Sequence, residues 1–592
     1  MKKILAVLLF LTLLVVSVAP ALATPVEQLN DLARYFPADT PIFAASRLDD
    51  AFFSELDGIV AKVAAALPTG TIPPMTISEA LDMALADAKP PLKFEADIRP
   101  WLGDTVAFGV LDIPMNDGTT TRFLRDRRLN DDAPVLFAVA IKDRATVTDF
   151  LTQMLDQNDQ EYERTDEADY TMLTPPNNQG VVVIRDDVLL VSNQVDLATT
   201  IPDGSLSSSA DFGSAFALLP EDDYNVTLFL NFGDLLQNAL ENDPDIAAQA
   251  GVFSSVFSAI GPQAWGATLL DGVSLTLDIA QQVNGTEAFG EFGLPTTPPP
   301  AIDPAFAARI PAGAPLAIHS TDLNRSVEAL FAVLDSQLAA MAEAGMADPK
   351  DLEDAQQGIK QVESAFTTFT GLDLRKDVAS WMTGDYALFL MLNPDLDVSS
   401  QFGLFQTFPV DFGLAIQATD PAAAAKTVEG LTEGLQRLAA LAAENEDSQA
   451  EVAITTETLS GADVTVVTIS SSNIPWPIEF LMGANDEVFA LGTRNAVTAI
   501  FARDGGLPSS AAFTRAQDFM LAGAHTVAYL STEGLLPLAD LVETMANEND
   551  SSAKENAAIL RDVLNLFPSA SISQRQDASG SSVSRLVLTM AE

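Results

Sequence analysis

An α+β protein of two tandem homologous lobes, each an antiparallel sheet layered with helices, is the fold this sequence predicts. Three observations predict it. Landmarks recur in order: Phe36-Pro37-Ala38-Asp39-Thr40-Pro41 is answered by Ile310-Pro311-Ala312-Gly313-Ala314-Pro315, and Trp101-Leu102-Gly103-Asp104 by Trp381-Met382-Thr383-Gly384-Asp385. Late in each half, Phe229-Leu230-Asn231 is answered by Tyr529-Leu530-Ser531, and the spacing grows from 274 to 300 residues as loop insertions in a tandem repeat would make it. Strand and helix patterns alternate through both halves, and a proline-rich break, Leu294 to Pro304, falls between them.

The elements follow from composition. In the first half, β-branched and aromatic runs bounded by turn residues predict strands at about 41–47, 104–112, 133–141, 162–173, 180–184, 187–192, 225–231, 264–270 and 273–283. Apolar residues at helical spacing predict helices at about 49–66, 76–88, 144–156, 194–201, 208–218, 233–242 and 246–260. The second half repeats the order with longer alanine-rich helices at 322–345, 351–369, 421–443 and 553–566. The first half of each lobe reads strand, helix, strand, strand, helix, strand, the order of a split βαβ or ferredoxin-like layer. Asp271-Gly272 and Ser579-Gly580 predict closing hairpins. Segments 114–132 and 544–557 are polar, aperiodic and predicted as loops. The implied domains are 1–23 as a leader, 24–293, a linker at 294–304, and 305–592.

Lys2-Lys3, an apolar run from Ile4 to about Ala19 and Ala21-Leu22-Ala23 have the layout of a cleavable signal peptide, shorter than the ~20 apolar residues a span needs. The expected location is therefore secreted or extracytoplasmic, at the cell surface or free of it. With no cysteine the chain has no disulfide, thiolate metal site or cysteine nucleophile. Its formal charge of −51 becomes −53 without Lys2 and Lys3, which makes nucleic acid and anionic membrane poor partners.

Chemistry-bearing motifs are sparse. Asp143, Asn193, Asp322, Asp420 and Thr493 stand where strands give way to helices, and helix capping accounts for the exchange among these residue types. The two histidines, His319 and His525, are not duplicated between halves and sit in no metal-ligand pattern, so both read as structural. No G-x-S-x-G, G-x-G-x-x-G or G-x-x-x-x-G-K occurs, and Ser551-Ser552-Ala553-Lys554 lies in a polar stretch. No catalytic residue, cofactor site or metal site is predicted; calcium is the one metal the 82 acids leave open, although Asp156 to Glu161 lacks the glycine of an EF-hand loop. Trp101 and Trp381 read as core plugs beside Gly-Asp turns. The apolar stretch Ile474, Trp476, Ile478, Phe480, Leu481 and Met482 has no counterpart in the first half, and its two prolines bar a regular helix or central strand across it. It is either a cap over the second core or an exposed patch for a partner or apolar ligand.

The leader, the Phe36 to Pro41 strand entry and Pro100-Trp101-Leu102-Gly103-Asp104 together resemble the bacterial domain-of-unknown-function family 3352, over most of the chain counted as two related halves. That resemblance implies exported proteins of no established activity and supplies no catalytic residues. The expectation is a non-catalytic structural or binding protein of the extracytoplasmic space. Its rivals are a carrier for an apolar or lipid-like molecule held between lobes, and a carboxylate-dependent hydrolase.

Overall fold

The computed structural model describes residues 24–66, 75–86, 88, 90–111, 133–176, 180–231, 233–235, 259–270, 274–291, 294–343, 349–393, 410–444, 450–471, 477–545 and 551–591. They form two compact units, Met1–Gly285 with Ser581–Val583, and Thr286–Gly580 with Ser584–Glu592. Both mix helices with antiparallel sheet.

The first unit contains β1 (Ile42–Arg47), β2 (Leu102–Val110), β3 (Val135–Ile141), β4 (Glu163–Asp166), β5 (Thr171–Thr174), β6 (Val181–Ile184), β7 (Val188–Ser192), β8 (Val226–Leu230), β9 (Ile260–Leu270) and β10 (Ser274–Val283). Pairing is antiparallel throughout, in the spatial order 4-5-6-7-3-2-1-8-9-10. The stretch expected as one strand at 162–173 is the hairpin β4–β5, broken by the acidic turn Asp166 to Asp169. The helices that accompany the sheet include α1 (Asp50–Ala66), α2 (Ile77–Leu85), α3 (Arg144–Gln157), α4 (Val195–Thr199) and α5 (Ala210–Phe216).

Alternation along β1 and β2 sends successive side chains to opposite faces. One face carries Val106, Phe137 and Val139 into a core shared with Phe53 of α1, Leu81 of α2 and Leu151 of α3. Trp101 closes the base of that core, donating its indole N–H to the Asp97 carbonyl at 2.8 Å and packing on Phe150. The opposite face carries Phe43 and Phe229, directly paired across β1 and β8, under Phe212 of α5.

The second unit runs β11 (Leu316–Thr321), β12 (Asp385–Leu392), β13 (Val410–Gln417), β14 (Ala450–Leu459), β15 (Ala462–Ser471), β16 (Ile478–Ala484), β17 (Val488–Gly492), β18 (Thr526–Ser531), β19 (Ser569–Gln576) and β20 (Ser582–Thr589). From β14 to β19 its spatial order is 14-15-16-17-13-12-11-18-19, the order of the first unit. The tight turn between β14 and β15 places Ser460 and Gly461 both at positive φ, which the glycine adopts without steric cost. Helices are α6 (Leu323–Glu343), α7 (Pro349–Thr370), α8 (Pro421–Glu444), α9 (Arg494–Ala502), α10 (Ala511–Asp518), α11 (Leu536–Met545) and α12 (Ser551–Leu566). The loop expected at 544–557 therefore gives way to helix from Ser551 onward. Segment 114–132, the Asp271-Gly272 turn and most of 233–260 lie outside the described residues.

The split βαβ expectation does not describe this pairing. That motif leaves its first two strands parallel with another strand between them, whereas β1 bonds β2 directly and antiparallel, and β11 bonds β12 in the same way. The physical reason lies in the connections. Each joins its two strands through two successive helices, α1 with α2 and α6 with α7, which return the chain to the end it left; a single crossover helix would deliver it to the opposite end.

Candidate functional site

The second unit contains a cavity of about 350 Å³. Its floor is the face of β11 and β18 that carries Ala317, His319, Val527 and Tyr529. Phe513 and Gln517 of α10 form one wall. The proline-rich stretch forms another: Ala301, Ile302 and Pro304 line the space, and the segment is fastened to this unit. The Ile302 N–H donates to the Ala524 carbonyl at 2.9 Å, the Thr321 hydroxyl to the Pro300 carbonyl at 2.8 Å, and the Asp303 N–H to an Asp385 carboxylate oxygen at 2.7 Å.

The reason for the space emerges from the same positions in the first unit. There Phe43 sits opposite Phe229; here Ala317 sits opposite Tyr529. Phe36, before Pro37, answers to Ile310, before Pro311, and Phe216 at the end of α5 answers to Gln517 in α10. Phe36, Phe43, Phe212, Phe216 and Phe229 pack edge and face with neighbouring ring centres 4.8 to 6.5 Å apart. With Ile310, Ala317 and Gln517 at the places that three of these five phenylalanines hold in the first unit, the second unit has less aromatic volume there than a close-packed interior needs. Only Phe513 and Tyr529 keep the aromatic contact, at 5.0 Å.

Polar chemistry at the cavity centres on His319, at the place of Ala45 in the first unit. Its Nε2 lies 2.9 Å from Asp385 Oδ2, with both side chains buried, and Phe306 stacks on the ring at 5.6 Å. Among the described residues the Tyr529 hydroxyl makes no hydrogen bond of ordinary geometry, with Ser510, Ser531 and Ser569 as its polar neighbours. Burial raises its pKa. His525, outside the cavity wall, has its pKa lowered by burial and by Arg325, and its Nδ1 lies 3.0 Å from the Thr526 hydroxyl.

A second polar cluster lies in the first unit. Arg47 grips Asp49 through two bonds of 2.6 and 2.7 Å and donates to Asn225 at 2.9 Å. Burial alone would raise the Asp49 pKa, but Arg47 and the Phe52 N–H outweigh it and pull it down. One turn on, burial pushes the Glu55 carboxyl up to about 8, against the attraction of Arg47, and Glu55 Oε2 has no hydrogen-bond partner among the described residues. Among the described residues no group of three or more His, Cys, Asp or Glu side chains is placed to hold a metal ion. Nor is any described helix long and apolar enough to cross a membrane.

Of the apolar stretch singled out in the sequence, Ile474 and Trp476 lie outside the described residues. Ile478, Phe480, Leu481 and Met482 belong to β16, which starts immediately after Pro477; Leu481 and Met482 are buried, while Ile478 and Phe480 are half-buried. None of these four lines the cavity. Exposed apolar side chains gather elsewhere, at Leu316, Leu388, Leu390, Leu530 and Ile572 on the sheet face opposite His319. Their signal in the sequence is leucine or isoleucine at alternate strand positions where a solvated face would carry polar residues.

No curated protein matches the chain. No solved structure matches it either. A family model described as Protein of unknown function (DUF3352) matches residues 76–474, and on that match the chain belongs to this family.

Proposed function

We propose that this is a non-catalytic, exported binding protein whose second unit holds a small apolar molecule. The observation that carries the reading is the cavity of about 350 Å³, opened where Ile310, Ala317 and Gln517 replace phenylalanines that fill the corresponding space in the first unit. Ligand sites are concave, mostly apolar and carry a few convergent polar groups, with volumes from roughly 300 Å³ upward. His319 and Gln517 are such groups here. Export rests on the basic, apolar and small-residue pattern of the first 23 residues.

We also propose that the two units descend from one duplicated α+β lobe. The shared strand order, the aligned Trp101 and Trp381 and the two aromatic positions kept in both units, Phe212 with Phe513 and Phe229 with Tyr529, support that descent. Duplication leaves one copy packed for stability and the other free to open a site. The experiment is native mass spectrometry of the exported protein purified without detergent, with and without added 1-decanol. A bound small molecule in the first sample, or a one-to-one decanol adduct in the second, is the expected result, lost in Ala317→Phe. A protein that carries no small molecule and takes up no decanol ends this reading.

A further inference from the structure

Resting on that reading of the cavity, we infer that its ligand is uncharged: an apolar chain or ring system ending in a hydroxyl, ester or carbonyl group, with carboxylates and ammonium groups rejected. The wall contains no lysine or arginine. His319 is the one lining residue able to carry positive charge, and its Nε2 is already committed to Asp385 at 2.9 Å. Asp385 is itself buried and accepts a second bond from the Asp303 N–H. Arg309, the arginine nearest in sequence to the wall residue Ile310, is bound to Glu487 and to the Ile500 carbonyl.

A carboxylate entering this space would surrender its hydration and meet, among the described lining residues, no lysine or arginine, only a histidine whose Nε2 is taken up by a neighbouring aspartate; Arg575, which is not among the lining residues, is directed to the Ala522 carbonyl at 3.4 Å. Buried charge is tolerated when paired, and this wall offers no partner. An ammonium group fares no better, because Asp385 is not part of the wall and the lining groups are apolar apart from His319, Gln517 and Tyr529. A neutral polar group loses much less hydration, and the half-buried Gln517 amide can donate to it or accept from it. On size, a dry apolar cavity of ~150 Å³ takes one benzene ring, so this space suits a molecule of roughly twice that bulk. The overall negative charge of the chain acts in the same direction against anions.

The test is isothermal titration of the full chain with four ligands of one chain length: 1-decanol, methyl decanoate, decanoate and decylamine, at neutral pH and moderate salt. Expected is one site for decanol and methyl decanoate, with decanoate and decylamine at least about tenfold weaker. Ala317→Phe and Gln517→Phe, which restore the bulk of Phe43 and Phe216, should each abolish binding while leaving circular dichroism and the thermal transition in place. Using two variants covers the case in which one fails to fold. Decanoate or decylamine bound as tightly as decanol, and lost with it in the filled variants, overturns the uncharged class while leaving the cavity a ligand site. If none of the four binds, or binding survives both filled variants, the cavity reading itself is overturned.

Discussion

At the scale of single residues, Glu55 makes the sharpest prediction. Its folded pKa is raised to about 8 from 4.5, so between those values the folded state holds a proton that the unfolded state has released, and stability falls as pH rises through that window. Above about 8 the loss is complete; below 4.5 there is none. Glu55→Gln removes the titration, so its melting temperature should exceed that of the unaltered protein by about 2 °C or more at pH 9, with the gain vanishing at pH 4.5. Thermal scans across pH check this, and equal curves at both ends would remove Glu55 as the cause. Nothing local in the sequence marked Glu55, since the burial that raises its pKa arises only once α1 packs against the rest of the unit. Capping was partly readable, because it is a local event. Asp143 accepts from the Thr146 N–H at 2.7 Å, and Asp420 from the Ala423 N–H at 3.1 Å. Asp143→Ala should lower the urea midpoint of unfolding, because it leaves the Thr146 N–H without its cap. Asn193 and Thr493, expected as caps, serve neighbouring strands instead: Asn193 bonds the Val135 N–H and Ala133 carbonyl, and the Thr493 N–H donates to Phe412. Their partners lie 58 to 81 residues away, beyond what spacing can reveal.

At the scale of elements, β11 and β18 show why the site was hidden. Most strands and helices were legible because their periodicity is written in consecutive residues, and Trp101 and Trp381, read as buried plugs, are buried just ahead of the strands that begin at Leu102 and Asp385. The cavity is a missing volume. It depends on Ala317, Gln517 and Ile310 meeting across more than 200 residues, and each alone is an ordinary core or helix residue. His319 looked structural in sequence and is hydrogen-bonded as a structural residue would be, yet it also faces the space. Trp101→Ala should cost about 3–5 kcal/mol by leaving a void beside Phe150. Denaturant unfolding monitored by far-ultraviolet circular dichroism checks it, and a loss under 1 kcal/mol would mean the site collapses freely. Sheet order was misread although both helices between β1 and β2 were legible, because the expected motif counted them as a single crossover and two helices permit antiparallel return.

For the whole molecule, charge dominates. A formal charge of −51 spread over a chain with 31 basic residues makes the folded state repel itself more than the expanded one. Raising salt from about 0.02 to 0.5 M shortens the screening length from roughly 20 Å to a few ångströms, so the melting temperature should rise by several degrees. A falling or flat profile would place the excess acids in local pairs instead. Exposed ion pairs, such as Arg561 with Asp540 and Glu543, would weaken over the same range, but such pairs contribute little each.

The fastening of Pro300, Ile302 and Asp303 onto the second unit sets where that unit can be cut. A truncated fragment beginning at residue 305 would strip one wall from the cavity, leave the Ala524 carbonyl and Asp385 each short of a donor, and wet His319. One beginning near residue 294 keeps all three ties, so a fragment that preserves the whole cavity has to carry the proline run at its start.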